Sequence, residues 1–343
     1  MNEKFTRFAI NVGKTVTPFV VTKAIYDKMF GHRFESDKHL LFRLEDFPNL
    51  DAKKYTFKSG RNILTGYLYS PKNVKSPKGV IVFSHGYGGG GHKTYLDLIN
   101  AFANEGYMVF GYDATANDES TGQTVRGFTQ GLLDAHQAAS FVEALPELKK
   151  YPLILAGHSW GAFSASNSLG LHPRAKGLIA FSGFNSATTI FKANGEKYAG
   201  EDANIFMPYV DIYEQLLFGN ISKSSAIEAF KKNKKAKIAI IHSEDDPTVP
   251  IEGGFKLYEK EFKNDHRFLF IKLKNKGHAT VYYSTQGKKY YDDFISLYRS
   301  YKKKNPTDED LTNYVNQTLN RGLYSNLVDQ SLIDRCLDFV SHS

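Results

Sequence analysis

Through the middle of the chain, short apolar runs rich in β-branched residues alternate with stretches whose apolar positions recur at helical spacing. Residues 79–84 (GVIVFS) read as a buried strand, followed by a glycine-rich loop and a helix near 95–104. Further strands are expected at 107–112, 153–156, 177–181, 238–241 and 268–273. Long helices are expected near 127–145 and 284–303, the second with an aromatic face of Tyr290, Phe294 and Tyr298. Residues 62–69, with 55–58, read as an antiparallel edge hairpin. This alternation predicts an α/β fold: one mostly parallel sheet covered by helices on both faces.

Three segments break the rhythm. Residues 1–50 are basic and weakly helical, and we read them as an extension ahead of a main domain over 51–304. Residues 183 to about 235 carry many aromatics and read as a small helical cap. Residues 305–343 read as an extension of two helices, with Thr307 capping the first, Gly322 breaking the pair and Ser325 capping the second. At the N-terminus, Phe5, Phe8, Val12, Val16, Phe19 and Val20 lie near helical spacing beside Lys4, Arg7, Lys14 and Lys23. Such a helix could rest on an anionic membrane through residues 1–33 or dock on the body, and Pro18 is expected to kink or break it.

Candidate chemistry clusters at three strand ends. Gly157-His158-Ser159-Trp160-Gly161 is a G-x-S-x-G pentapeptide between a strand and a helical stretch. A serine on so sharp a turn takes a strained backbone, which flanking glycines permit, and its hydroxyl is exposed at a helix N-terminus. A serine hydroxyl is a weak nucleophile and needs a base. His278, in Lys276-Gly277-His278-Ala279 after the last strand, is the candidate among eleven histidines. Glu244-Asp245-Asp246-Pro247-Thr248-Val249-Pro250 supplies the acid that would orient it, with Asp246 preferred and Asp245 the alternative.

These motifs, with His85-Gly86-Tyr87-Gly88-Gly89-Gly90-Gly91, make the chain resemble the α/β-hydrolase superfamily from about Asn62 to about Lys303. Within it the look is of serine-aminopeptidase-like and monoacylglycerol-lipase-like hydrolases and small esterases. The resemblance implies an α/β-hydrolase fold with a cap inserted before the strand that carries the acid. It also implies a Ser159–Asp246–His278 triad, with the backbone N–H groups of Tyr87 and Trp160 as an oxyanion hole. An arginine–glycine pair usual in the family after the second core strand is replaced here by Asp113-Ala114-Thr115-Ala116-Asn117-Asp118-Glu119-Ser120, so no particular substrate carries over.

The glycine loop alone supports a rival reading. Gly86, Gly88 and Gly91 satisfy G-x-G-x-x-G after a strand, and Asp113 ends the next strand, the layout of a dinucleotide site. That reading leaves the pentapeptide, the acidic turn and His278 unexplained. His85, His92, His158 and His242 lack zinc-ligand spacing and no CxxC exists, so neither a cofactor nor a metal is expected.

Composition narrows the partners. The 343-residue chain carries a net charge of +8, but its lysines fall in short runs without a nucleic-acid motif, so no nucleic-acid partner is expected. One cysteine, Cys336, and no apolar run of membrane-spanning length or signal-peptide pattern point to a cytoplasmic protein. The cap's aromatics (Phe184, Phe191, Tyr198, Phe206, Met207, Tyr209, Tyr213, Leu216, Leu217 and Phe218) offer an apolar pocket for an acyl or aryl group. Its acids Glu196, Glu201, Asp202, Asp211 and Glu214 would suit an amino terminus. Hydrolysis of a small to medium carboxylic ester is therefore expected first, aminopeptidase or amidase action on a short peptide second, and a non-catalytic binding protein last. Oligomeric state is left open.

Overall fold

The computed structural model describes residues 3–341, apart from the side chains of 3–16, 198, 199 and 201–203. Eight strands form one sheet in the order β1-β2-β4-β3-β5-β6-β7-β8. They are β1 (Leu50–Ser59), β2 (Asn62–Pro71), β3 (Val80–Ser84), β4 (Met108–Tyr112), β5 (Leu153–His158), β6 (Ala175–Phe181), β7 (Lys237–Ser243) and β8 (Phe268–Leu273). The hairpin β1–β2 is antiparallel and joins β4 antiparallel, while β4, β3, β5, β6, β7 and β8 are parallel to one another. This is the α/β architecture expected, and the hairpin sits at the sheet's edge.

The helices are α1 (Glu3–Phe30), α2 (Leu96–Asn104), α3 (Phe128–Ala144), α4 (Trp160–Ser168), α5 (Ala187–Ala199), α6 (Met207–Phe218), α7 (Ala226–Lys232), α8 (Phe255–Phe262), α9 (Thr285–Lys302), α10 (Asp308–Thr318), α11 (Arg321–Tyr324) and α12 (Gln330–Ser341). Alternate residues of each central strand feed opposite cores, because successive strand side chains point to opposite faces. Val80, Val82, Leu153, Leu155, Leu178 and Ile238 pack beneath α3, α4, α7 and α8. Ile81, Phe83, Ile154, Ala156, Ile179 and Ala239 pack beneath α2, α9, α10 and α12. A strand buried on both faces is a short continuous apolar run, the pattern seen in GVIVFS.

Helices α5, α6 and α7 lie between β6 and β7; α5 and α6 form the cap, while α7 packs on α4. The N-terminal helix is longer and more regular than expected. It runs through Pro18, so the predicted break does not occur there. Thr22, Tyr26 and Phe30 are buried against the cap and body, with the Tyr26 hydroxyl donating to Glu214 on α6. Val20, Val21 and Ile25 remain exposed. Phe5, Phe8, Val12 and Val16, the rest of the proposed apolar stripe, have side chains outside the described residues.

The C-terminal extension holds three helices rather than two. Thr307 caps α10 in a reciprocal box with Asp310, as its sequence position suggested. Gly322 lies inside α11, not at a break, and Ser325 ends that helix rather than opening the next. The true start of α12 is marked by Asp329, whose side chain accepts the Leu332 N–H at 3.3 Å. Local cap chemistry misplaced this boundary because Ser, Asn and Asp follow one another in the segment. α12 packs across β6 and β7, and its buried face includes Ile333, Cys336, Leu337 and Val340. Among the described residues, no helix is long and apolar enough to cross a membrane.

One buried group makes stability depend on pH. Asp97, in the first turn of α2, is 2% exposed; Oδ1 accepts the Leu98 N–H at 2.7 Å and Oδ2 has no close hydrogen-bond partner among the described residues. Burial pushes its pKa up to about 7, so the folded state holds this proton more tightly than the unfolded chain. Its contribution is therefore unpenalised below the unfolded value near 4, and stability is lost as pH rises from about 4 through about 7. Denaturant melts of Asp97→Asn should show a flatter profile, with the variant gaining roughly 1–3 kcal/mol on the parent between pH 4 and pH 8.

Candidate active site

Strand β5 ends at His158 and α4 begins at Trp160, leaving Ser159 alone to turn the chain. It does so at φ 57°, ψ −118°, a left-handed conformation costing about 1–3 kcal/mol for a residue with a side chain. Two glycines make the turn possible by close approach. A Cβ at residue 161 would sit 1.9 Å from the Ser84 carbonyl oxygen, and one at residue 157 would sit 2.4 Å from the Gly161 carbonyl carbon. The Ser159 N–H donates to the Phe181 carbonyl at the end of β6 at 2.8 Å, pinning the turn across the sheet.

The structure brings the three predicted side chains together. Ser159 Oγ lies 2.9 Å from His278 Nε2, and His278 Nδ1 lies 2.7 Å from Asp246 Oδ2. The Asp246 side chain is buried, and Oδ1 accepts the N–H groups of Thr248 and Val249 at 2.9 Å each. Burial alone would raise its pKa. The His242 imidazole 3.5 Å away, the hydrogen bond from His278 and the backbone donors outweigh that, holding the carboxyl far below the usual carboxylate range.

The neighbouring acids point elsewhere. Asp245 accepts from the Ser243 hydroxyl and from the Gly277 N–H, so it ties down the loop that carries His278. Glu244 is paired with Lys272 at 3.3 Å. The structure thus joins Asp246, not Asp245, to the histidine.

Tyr87 and Trp160 flank the serine from two elements. Trp160 is the first residue of α4, so its N–H has no intrahelical acceptor and belongs to the helix's positive end. Tyr87 follows β3 and lines, with Gly86, Gly89, His158, Ser159 and His278, a cavity of about 280 Å³. The cavity's outer wall includes Tyr95, Tyr282, Tyr283, Tyr291 and Tyr324, together with Asp37, Leu40 and Phe42. Both terminal extensions therefore contribute to it.

Two histidines expected to be structural or unassigned have definite work. His85 Nδ1–H donates to the Gly86 carbonyl at 2.8 Å while Nε2 accepts the Ala114 N–H at 2.9 Å. Burial pushes its pKa down. His158 Nε2–H donates to the His278 carbonyl at 3.0 Å, and Nδ1 accepts from the Tyr95 hydroxyl at 2.9 Å. The Tyr95 oxygen in turn accepts the Gly86 N–H at 3.1 Å. One neutral imidazole thus links the histidine loop to the glycine loop. Only the tertiary structure reveals this, since nothing in G-H-S-W-G distinguishes the role.

The glycine loop does not serve a dinucleotide. The Gly91 N–H is held by Asp118 Oδ2 at 2.8 Å and Ser36 Oγ at 3.2 Å. A Cβ at residue 91 would meet Asp113 at 2.0 Å and Asp118 at 2.8 Å. A pyrophosphate needs free N–H groups there, and finds carboxylates instead. Asp113 itself is buried against His92, with Oδ1 at 2.6 Å from Nδ1. Among the described residues, no group of three or more His, Cys, Asp or Glu is placed to hold a metal ion.

Comparison with known proteins follows this geometry. The sequence profile of a family described as "Serine aminopeptidase, S33" matches residues 75–197, which include the glycine loop and the serine turn but not Asp246 or His278. A lysophosphatidylserine lipase of Danio rerio is 26% identical over 244 residues, 65% of this chain and 60% of that protein's length. An esterase of Pyrococcus furiosus superposes with a TM-score of 0.54 at 17% identity, covering 80% of this chain and 98% of its own. The chain has the α/β-hydrolase fold. Another structure of this α/β-hydrolase fold, Est1E of Butyrivibrio proteoclasticus solved with ferulic acid bound, gives a TM-score of 0.53 at 15% identity, covering 71% of this chain and 98% of its own.

Burial, with the nearby His278 second, lowers the His158 pKa to about 3, so this residue of the α/β-hydrolase stays uncharged in the folded state wherever the fold survives above that pH. In ¹⁵N-edited NMR, His158 should show a single tautomer, protonated at Nε2, throughout pH 5–9. A ring that titrates within that range would overturn the assignment.

Proposed function

We propose that this α/β-hydrolase is a serine hydrolase that cleaves a carboxylic ester through an acyl-enzyme. The observation that carries the reading is the unbroken chain Ser159 Oγ–His278–Asp246, at 2.9 and 2.7 Å, with Ser159 at the N-terminus of α4. In the proposed reaction His278 Nε2 takes the Ser159 proton as Oγ attacks the ester carbonyl. The charge on the carbonyl oxygen is met by the N–H groups of Tyr87 and Trp160. His278 then protonates the departing alkoxide, the alcohol leaves, and a water activated by the same imidazole releases the acid. Ionised Asp246 stabilises the imidazolium at each stage. Side chains, backbone and water are sufficient for every step.

A second cavity supports an apolar acyl group. About 540 Å³ in volume, it lies between α1 and the cap, lined by Ile25, Met29, Phe128, Ile190, Phe191 and Val210 among others. Pro247 and Thr248, next to Asp246, close one side. It adjoins the Ser159 cavity through Tyr87, whose ring packs on Phe128 at 5.6 Å. A cavity of this size and lining suits a hydrocarbon chain or an aromatic acyl group. The printed names of two similar proteins, a lipase and an esterase, agree with an ester substrate.

Aminopeptidase action is the second reading, favoured by the description of the matched family. An amino terminus would need a carboxylate facing the serine. Asp37 is the carboxylate lining that cavity, and it is engaged by the Tyr298 hydroxyl at 2.6 Å and Lys302 at 2.8 Å. Of the cap acids, Glu214 accepts from Tyr26 and Thr129, Asp211 from Thr188, and Glu196 from Asn204. The side chains of Glu201 and Asp202 lie outside the described residues. These engagements favour the ester reading.

Treatment with a fluorophosphonate, read by intact mass, should give one adduct on the native protein and none on Ser159→Ala. No adduct on folded native protein would sink the proposal. On an active ester, Asp246→Asn should lower kcat by at least about 100-fold, whereas Asp245→Asn should lower it by less than about 10-fold. Val210→Trp, which fills the apolar cavity, should cut kcat/KM for long-chain p-nitrophenyl esters by about 10-fold or more while sparing the acetate.

A further inference from the structure

We propose that the strap formed by residues 29–36, where the N-terminal extension crosses the body, positions the Tyr87 backbone N–H for the reaction. The inference rests on the serine-hydrolase reading above. It assigns Met29, Arg33, Phe34 and Ser36 as positioning residues although they lie outside the sheet and its crossover helices.

The glycine loop has little intrinsic rigidity, since all four residues between Tyr87 and His92 are glycines and Gly88 and Gly90 adopt positive φ. A donor that must meet an oxyanion to within a few tenths of an ångström needs external support. The strap supplies it at both ends of the loop. At the near end, the Tyr87 hydroxyl donates to the Met29 carbonyl, one of the carbonyls left open at the end of α1. The Tyr87 ring is held edge-on by Phe34 at 4.8 Å and packs on Phe30 at 5.4 Å. Its remaining neighbours, Phe128 and Trp160, belong to the helices behind the serine.

At the far end, Ser36 Oγ accepts the Gly91 N–H, and the Ser36 N–H and hydroxyl both donate to Asp118 at 2.7 and 2.5 Å. Asp118 Oδ2 also takes the Gly91 N–H. The strap is fixed to the body in its turn. Arg33 donates to the carbonyls of Asp118, Ser120 and Gly122 at 2.8–2.9 Å, and Phe34 exchanges backbone hydrogen bonds with Ala116 and Asp118 at 3.0 and 3.1 Å. These acceptors lie in the segment that departs from the usual arginine–glycine pattern. The segment 113–122 is thus the strap's docking site, and through Ser36 and Asp118 the strap and this segment hold the far end of the glycine loop between them.

The role is one of geometry, so it acts on the transition state and not on substrate affinity. The test compares Tyr87→Phe, Ser36→Ala and, as a control away from both cavities, Tyr290→Phe on α9, which removes a hydroxyl that accepts the Asn320 N–H at 2.8 Å. Turnover is measured on a p-nitrophenyl ester per active site titrated by fluorophosphonate, so misfolded protein is not counted. Tyr87→Phe should lower kcat about 10-fold with KM within about twofold, and should weaken a trifluoromethyl ketone, which mimics the tetrahedral oxyanion, by the same factor. Ser36→Ala should act in the same direction and Tyr290→Phe should leave kcat within about twofold. Unchanged kcat per site in both strap variants, or an equal loss in Tyr290→Phe, would overturn the strap's role. Absence of any adduct on the native protein would instead remove the serine reading beneath it.

Discussion

The first turn of α4 approaches the end of β3 so closely that Gly161 faces the Ser84 carbonyl with no room for a Cβ. Much of the site follows from this contact. It forces Ser159 into a left-handed conformation, lifts its hydroxyl off the sheet and brings the start of α4 beside the chain leaving β3. The Ser159 and Tyr87 segments, more than seventy residues apart in sequence, line one cavity. The strain is small beside the burial that sustains it, since Trp160, Phe163, Ala156 and Phe181 around the turn are all but inaccessible.

Electrostatically the site concentrates its charge on one carboxylate. Asp246 is buried, doubly bonded to backbone N–H groups and flanked by two histidines, so it remains ionised where an isolated buried acid would not. The imidazoles of His85 and His158 are pushed the other way by burial, and each spends both ring nitrogens on hydrogen bonds to the loops around the serine. Neutral spacers of this kind fix loop geometry without adding a charge that would compete with His278 for Asp246.

The two extensions are structural partners of the hydrolase body. α12 covers β6 and β7 on one face, while Tyr324 and the segment around Asp37–Phe42 wall the serine's cavity. On the opposite side α1 forms part of the apolar cavity with the cap. Access to Ser159 is therefore shaped largely by residues outside the sheet and its crossover helices, which is where proteins sharing only the fold are free to differ.

The sheet, its crossover helices and the Ser159–His278 pairing were legible because each rests on a local, periodic or strongly constrained signal: two-sided apolar strands, a turn only glycines allow, a histidine after the last strand. Asp246 was separable from Asp245 only by motif resemblance, since adjacent residues differ in where their side chains point and not in chemistry. The course of α1 through Pro18, the three-helix C-terminus, the bridging work of His158 and the docking of residues 29–36 on 113–122 were not legible. Each depends on contacts between segments far apart in the chain, and such contacts leave no period or spacing in a single sequence. Local sequence determined which elements form and which groups could react; tertiary packing decided which of those groups meet, because only burial and long-range hydrogen bonds choose among residues that are locally equivalent.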